Sequence, residues 1–297
     1  MKNFILLSEH SDIQSSKRLL ETAMSLGLDT KVINPYECLL DLTSSTSKNL
    51  SDTLVLHRVT GIKHENYDLN FSGMLQANGA KIVNNLNAFE KLRDKEQQAV
   101  FFRQHQIAVI PAFGLRKRLG PTELDKIIEK LSPYHVDPKT PPAYIIKTTR
   151  GNQGVGTNLI IGVKSLKSIL ETLWAIRDQK FLIQPFLKEA YEYRILATSK
   201  GILGAIQRTP DQNDFRANAH HGTACKLKNL PAGLIEFAQN AFFKSGANYA
   251  ALDLFLWQDQ FMVVEINLVP GFRQMEAITG NNVAMEIIQT GLDEGKK

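Results

Sequence analysis

The chain has 297 residues, 43% of them hydrophobic and 22% charged, with a formal net charge of +5, so it has apolar content for two or three lobes. Its basic residues are dispersed along the sequence, which argues against direct nucleic-acid recognition. Cys38 and Cys225 are far apart with no CxxC pairing, which suits a cytoplasmic location and excludes a thiolate zinc cage; residues 4–7 are too short for a secretory apolar segment, and no run reaches membrane-spanning length.

The N-terminal third alternates strand-like and helix-like segments: strand over 3–8, amphipathic helix over 15–26, strands over 30–34 and 53–59. This order predicts an α/β lobe with a parallel sheet. Residues 8–13 lack the glycines that bring backbone against a pyrophosphate, so a dinucleotide site is not expected. Residues 41–52, rich in Ser and Thr, read as a loop, and residues 88–106 as one long charged helix. A strand over 107–115, a helix over 121–131, a proline-containing loop over 133–142 and a strand over 143–148 follow.

That last strand delivers Lys147, and Gly151, Gly154 and Gly156 come directly after it. Glycines at this spacing let main-chain N–H groups approach an anion with no Cβ in the way. The Gly-Lys-Ser/Thr ending of a Walker loop is missing, and residues 159–163 look like a returning strand. The segment therefore reads as a β-hairpin flap over phosphate, with an ordinary glycine turn as the alternative.

Residues 180–190 form another strand-like run, and Glu192-Tyr193-Arg194 begins a hairpin returning through residues 202–208. The loop after Arg208 contains Arg216, Ala217, Asn218, His220 and His221. Guanidinium forks and an amide suit phosphate and carboxylate oxygens, whereas a solvated polar loop is the bland reading. A transition-metal site on His220, His221 and Cys225 lacks a fourth ligand at suitable spacing, and adjacent histidines point apart.

Near the C-terminus, residues 251–267 read as a hairpin. A turn centred on Asp259 opposes Asp253 to Glu265 and puts Asn267 on the same face. Opposed carboxylates repel unless a hard cation takes their oxygens. A two-residue turn would instead send Asp253 and Glu265 to opposite faces, and a solvated polar face would need no metal.

The succession Leu92-Arg-Asp-Lys95, Lys147 with Gly151 to Gly156, Gln184 to Ala190, Asp214 to Asn218, Asp253, Glu265-Ile-Asn267 with Pro270-Gly271-Phe272, and Thr279-Gly280 resembles the ATP-grasp superfamily. Within it the chain most resembles the RimK-like α-L-glutamate ligases, whose founding member adds glutamates to the C-terminus of a ribosomal protein. The resemblance implies an α/β fold with a pre-ATP-grasp lobe over 1–90, a central lid subdomain over 91–184, and a catalytic subdomain with an antiparallel sheet over 185–297.

It further implies an enzyme that uses ATP and Mg²⁺ or Mn²⁺, in two ions, to join an amino-acid donor to an amine or carboxylate acceptor, which could be a peptide, a protein tail or a small molecule. Lys95 and Lys147 would neutralise phosphates, and the flap would cover them. Gln184, Pro185, Phe186 and Leu187 would bind adenine, Glu192 the ribose, and Asp253, Glu265 and Asn267 the metal. Arg216, Ala217 and Asn218 would face the transferring phosphoryl group, with Arg208 clamping a substrate carboxylate. A homo-oligomer is compatible with this reading. Departures lie on the substrate side: Ala217 replaces a serine, His221 an arginine, and Leu268-Val269 a small residue and a serine, while Pro185 stands where an acidic residue is common. They imply retained ATP chemistry with an altered acceptor or donor, glutamate being bound weakly or replaced. The rival reading is an ATP-binding module that has lost ligation.

Overall fold

A computed structural model describes residues 1–43, 49–61, 63–116, 118–151, 154–176, 180–210, 222–227 and 229–293. In the N-terminal part, β1 (Asn3–Leu7), α1 (Gln14–Ser25), β2 (Asp29–Ile33), β3 (Thr53–His57), α2 (Tyr67–Ala77) and β4 (Lys81–Val83) build a parallel sheet in the order β2-β1-β3-β4. Alternation in β1 and β3 sends Phe4, Leu6, Leu54 and Leu56 to one face and Ile5, Leu7 and Val55 to the other. Both faces are covered, as a parallel sheet requires.

The long helix expected over 88–106 is two helices, α3 (Leu86–Leu92) and α4 (Lys95–Gln104). Asp94 separates them, because its carboxylate accepts from the main-chain N–H of Glu96 at 2.8 Å and caps α4. The strand expected over 107–115 is only β5 (Phe113–Leu115), preceded by a single bridge from Val109 to Val263. β5, α5 (Pro121–Leu131), β6 (Ala143–Thr148), β7 (Thr157–Ile161), α6 (Val163–Ile176) and β8 (Phe181–Pro185) form a second sheet, ordered β5-β8-β6-β7 and antiparallel throughout. Its helix-covered face carries Tyr144, Ile146, Ile160, Phe181 and Ile183, packed on Leu124, Ile127 and Leu166. Register places Lys147 and Gln184 together on the other face.

The third sheet is antiparallel, ordered β11-β10-β9-β12-β13, from β9 (Tyr191–Thr198), β10 (Gly201–Pro210), β11 (Gly222–Lys226), β12 (Tyr249–Trp257) and β13 (Gln260–Asn267). α7 (Leu234–Ser245) covers one face through Leu234, Ala238 and Phe242, against Ile195, Leu252 and Leu254. On the opposite face, Leu196, Ile206 and Ala251 pack with Phe272 and Met275, the latter in α8 (Arg273–Thr279). That core continues through α9 (Val283–Asp293) to Leu54 and Val83 of the first sheet. Asn84 ties the same junction, accepting from the main-chain N–H of Asn248 (2.7 Å) and Tyr249 (3.1 Å) and donating to the carbonyl of Leu268 at 3.1 Å.

Candidate active site

The β12–β13 hairpin turns on two residues, Gln258 and Asp259, at φ 46° and 59°, with Trp257 paired to Gln260. Positive φ at both central residues is the turn that matches strand twist. The three-residue turn expected about Asp259 is thus corrected. Two-residue closure alone would set Asp253 opposite Val264, yet the register shifts by one at Asp253/Leu254, leaving Val264 unpaired and placing Asp253 opposite Glu265 and Ala251 opposite Asn267. The bulge restores the shared face that the turn would have lost.

Cross-strand pairing extends that face inward, since Asp253 lies opposite Arg194, and Arg208 opposite Glu192. Nη1 of Arg194 donates to both Asp253 oxygens at 3.0 and 2.9 Å. Arg208, 6% exposed, donates from Nη1 to Asp253 and to Glu192, each at 3.5 Å. Its Nε is buried with no partner among the described residues. Burial, and then the neighbouring Asp253 charge, push the Glu192 carboxyl up to about 7 against the pull of Arg208.

The second sheet and the start of α4 supply the facing cations. Lys147 is buried, and desolvation followed by repulsion from Lys95 lowers its ammonium to about 8, against the attraction of Glu265. Lys95, the first residue of α4, holds its Nζ 4.0 Å from Glu265 and donates to the carbonyl of Gly151 at 3.1 Å. Its main-chain N–H reaches the Thr149 carbonyl at 2.9 Å, and Arg150 lies 3.7 Å from Asp94, so two links join the flap to the start of α4.

The flap is the antiparallel β6–β7 hairpin, Lys147 pairing with Thr157. Gly154 and Gly156 have φ of 73° and 76°. A Cβ on Gly156 would stand 2.8 Å from Thr148 Oγ1, so this tight approach needs glycine. At the hinge end, Gln184 is 8% exposed, Phe186 donates its N–H to the Ala143 carbonyl at 2.9 Å, and Leu187 packs with Ile110, Trp257 and Met262. An apolar patch thus adjoins the charged one.

Of the residues singled out from sequence, Lys95, Lys147, Glu192, Arg208, Asp253, Glu265 and Asn267 gather at these facing sheets, while Gln184, Pro185, Phe186 and Leu187 line the strand end beside them. Arg216, Ala217, Asn218, His220 and His221 lie outside the described residues. Two side chains that hold this candidate site together were not singled out from sequence. Arg194 is one, although the alternation Glu192-Tyr193-Arg194 already places it beside Glu192. Gln98 is the other: it donates to the carbonyls of Leu92 (2.6 Å) and Ile266 (3.1 Å) and accepts from the Ile266 N–H at 3.0 Å, fastening α4 to β13. Lys95 and Glu265 are thereby held in register.

Two carboxylates and an amide oxygen on adjacent ladder positions are a hard-oxygen donor set that fits Mg²⁺ or Mn²⁺. Asn267 Oδ1 accepts the Val269 N–H at 2.9 Å, which orients the amide and leaves a lone pair. Among the described residues no cluster of three or more His, Cys, Asp or Glu side chains could hold a metal. A cation here therefore relies on the amide and on oxygens brought by an anionic ligand.

A family model for the RimK-like ATP-grasp domain matches residues 92–290. A probable alpha-L-glutamate ligase from Marinomonas sp. (strain MWYL1) is 27% identical over 292 residues, covering 96% of this chain and 93% of that protein. The crystal structure of a RimK domain ATP-grasp protein from Sphaerobacter thermophilus DSM 20745 matches with TM-score 0.71 at 18% identity, covering 97% of this chain and 98% of that one. The ATP-grasp ligase PsnB, complexed with a phosphomimetic variant of its minimal precursor, Mg and ADP, matches with TM-score 0.72 at 14% identity over 99% of each chain.

Proposed function

The chain belongs to the RimK-like ATP-grasp family of ATP-dependent amide-forming ligases, and on that premise we propose that it joins an amino acid, glutamate or another, to a peptide, protein tail or small molecule. The carrying observation is the convergence of Lys147 and Lys95 on the face that holds Asp253, Glu265 and Asn267. A polyanion bearing a metal can engage both sets at once. The lobe division at 1–90, 91–184 and 185–297 is our reading as well, supported by the three sheets, which occupy successive stretches of the chain.

In this mechanism Lys95 and Lys147 neutralise the nucleotide phosphates, and the flap from Gly151 to Gly156 closes over them. The apolar patch of Leu187, Ile110 and Met262 receives adenine beside the main chain of Gln184 to Leu187, with Glu192 on the ribose side. Asp253, Glu265 and Asn267 would hold one or two Mg²⁺ or Mn²⁺ ions, which screen phosphoryl charge when bound. A substrate carboxylate oxygen attacks the γ-phosphorus, ADP leaves, and an acyl phosphate results. The amine nitrogen then attacks the acyl carbon, phosphate departs, and the nitrogen loses a proton to leave the amide. Arg216 and Asn218 are assigned to the developing charge and Arg208 to a carboxylate. Excluding water protects the acyl phosphate.

The experiment is ADP release with Mg²⁺ against a panel of amino acids and peptides, with products read by mass spectrometry. An amide product with one amino acid supports the proposal, and ADP release without any product across the panel removes it. His221→Arg tests the donor: it should improve glutamate use more than alanine use, because a guanidinium clamps carboxylate better than a neutral imidazole.

A further inference from the structure

Every carboxylate of the candidate metal face already has a resident cation. Asp253 is held by both the Arg194 and the Arg208 guanidinium, Glu192 by Arg208, and Glu265 by Lys95. Lys147 stands within electrostatic reach of Lys95 and Glu265. Among the described residues four cationic side chains thus oppose three carboxylates, and that set is positive in sum before any ligand arrives.

Arg194 is central to this arrangement. It is buried, it grips both oxygens of Asp253 from a single nitrogen, and the ladder fixes it directly across from that carboxylate. A divalent ion approaching alone would share Asp253 with a guanidinium that cannot lose its proton, and would meet three further positive groups close by. A nucleotide reverses the balance, because its phosphates bring several negative charges and occupy the lysines first.

We propose that Arg194 is an internal counter-ion that closes the Asp253–Glu265–Asn267 face to free divalent metal, so that metal enters only with, or after, the nucleotide. Arg194 is then a positioning residue that sets the order of assembly, beyond any part it plays in holding Asp253 in rotamer. The inference rests on the nucleotide-site reading above but not on the identity of the amino acid joined. A protein that binds metal with nucleotide yet ligates nothing would sink the donor and acceptor assignment and leave this one standing.

The test is manganese(II) binding to the full chain, followed by electron paramagnetic resonance of the free ion, with and without a non-hydrolysable ATP analogue. Wild-type protein should take up little Mn²⁺ alone and bind it at least tenfold more tightly once the analogue is present. Arg194→Gln should bind Mn²⁺ without nucleotide about tenfold or more tightly than wild type, the change that one removed unit charge produces on a divalent ion a few ångström away even with aqueous screening. Arg194→Lys, which keeps the charge and loses the fork, should stay close to wild type. Adding Asp253→Asn to Arg194→Gln should abolish the gain, which locates the ion. If wild-type protein binds Mn²⁺ equally well without nucleotide, and Asp253→Asn removes that binding, the proposal is overturned. It is equally overturned if folded Arg194→Gln shows no gain, and the wild-type comparison decides the matter should that variant not fold.

Discussion

Replacing Gln98 by Met keeps length and volume but removes every polar contact of a side chain that is 6% exposed. Three main-chain groups lose their partner: the N–H and C=O of Ile266 and the C=O of Leu92. Ile266 is 1% exposed and lies on an edge strand, so its outward-facing groups have neither water nor a neighbouring strand to turn to. Leaving a buried polar group unpaired costs about 1–3 kcal/mol. Partial relaxation at three groups gives a loss of roughly 3 kcal/mol. With an unfolding entropy of about 2.1 cal/mol/K per residue, the chain loses roughly 5 °C in Tm. Nucleotide affinity should fall with it, because the same side chain sets Lys95 against Glu265. Thermal and urea denaturation read the first effect, calorimetric titration with an ATP analogue the second. A Tm within about 1 °C of the parent would refute the idea that Gln98 seals the β13 edge, and lost stability with unchanged nucleotide affinity would refute its part in the site.

Asp253→Asn and Glu265→Gln should each largely abolish turnover while the fold is kept; steady-state ADP release at the parental rate in both would remove the metal assignment. Lys147→Ala should weaken nucleotide binding without unfolding the chain, as titration calorimetry and circular dichroism would show. The Lys147 ammonium, lowered to about 8 from its ordinary 10.5, is charged at pH 7 and neutral above its pKa, so nucleotide affinity should fall as pH rises from 7 to 9, and the alanine variant should lose that slope. Between those two pKa values the unfolded chain binds the extra proton, so the ligand-free protein should gain stability from this group as pH rises from about 8 to 10.5. Gly156→Ala puts a Cβ 2.8 Å from Thr148 Oγ1 at φ +76°, a strain of about 1–2 kcal/mol confined to the flap. It should raise the KM for ATP several-fold with only a small change in Tm, and an unaltered KM would show that the flap does not cover the nucleotide.

The parallel first sheet and the antiparallel third sheet were legible because their strands carry clear apolar runs and alternation. The opposition of Asp253 to Glu265 was reached through the wrong turn: sequence spacing fits one three-residue turn or a two-residue turn with a bulge, and nothing in Phe261 to Glu265 marks Val264 as the unpaired residue. The break between α3 and α4 did carry a signal, since Asp94 followed by Gln97 has capping-box spacing, but continuous helical periodicity on both sides concealed it. Lys147 and Gln184 were found as local motif members, whereas their common face follows from the β6–β8 register, which no local pattern encodes. Gln98 and Asn84 hold main-chain groups distant in sequence, at Ile266 and at Tyr249, so their roles exist only once the chain has folded.

The packing of α9 on α1 and on the Leu54–Val83 face of the first sheet has a consequence for biosynthesis. The strands of that sheet leave the ribosome well before α9, which completes the cover that α1 begins. Gly291 lies so close to that sheet that a Cβ there would meet Leu54 at 2.9 Å, so no bulkier stand-in fits the interface. Until α9 emerges, then, that apolar side is covered by α1 alone, through Leu19 and Ala23. A nascent chain arrested before residue 283 should present a greasy surface around Leu54 and Val83 that holdase chaperones bind, and synthesis of α9 becomes the event that lets this lobe close.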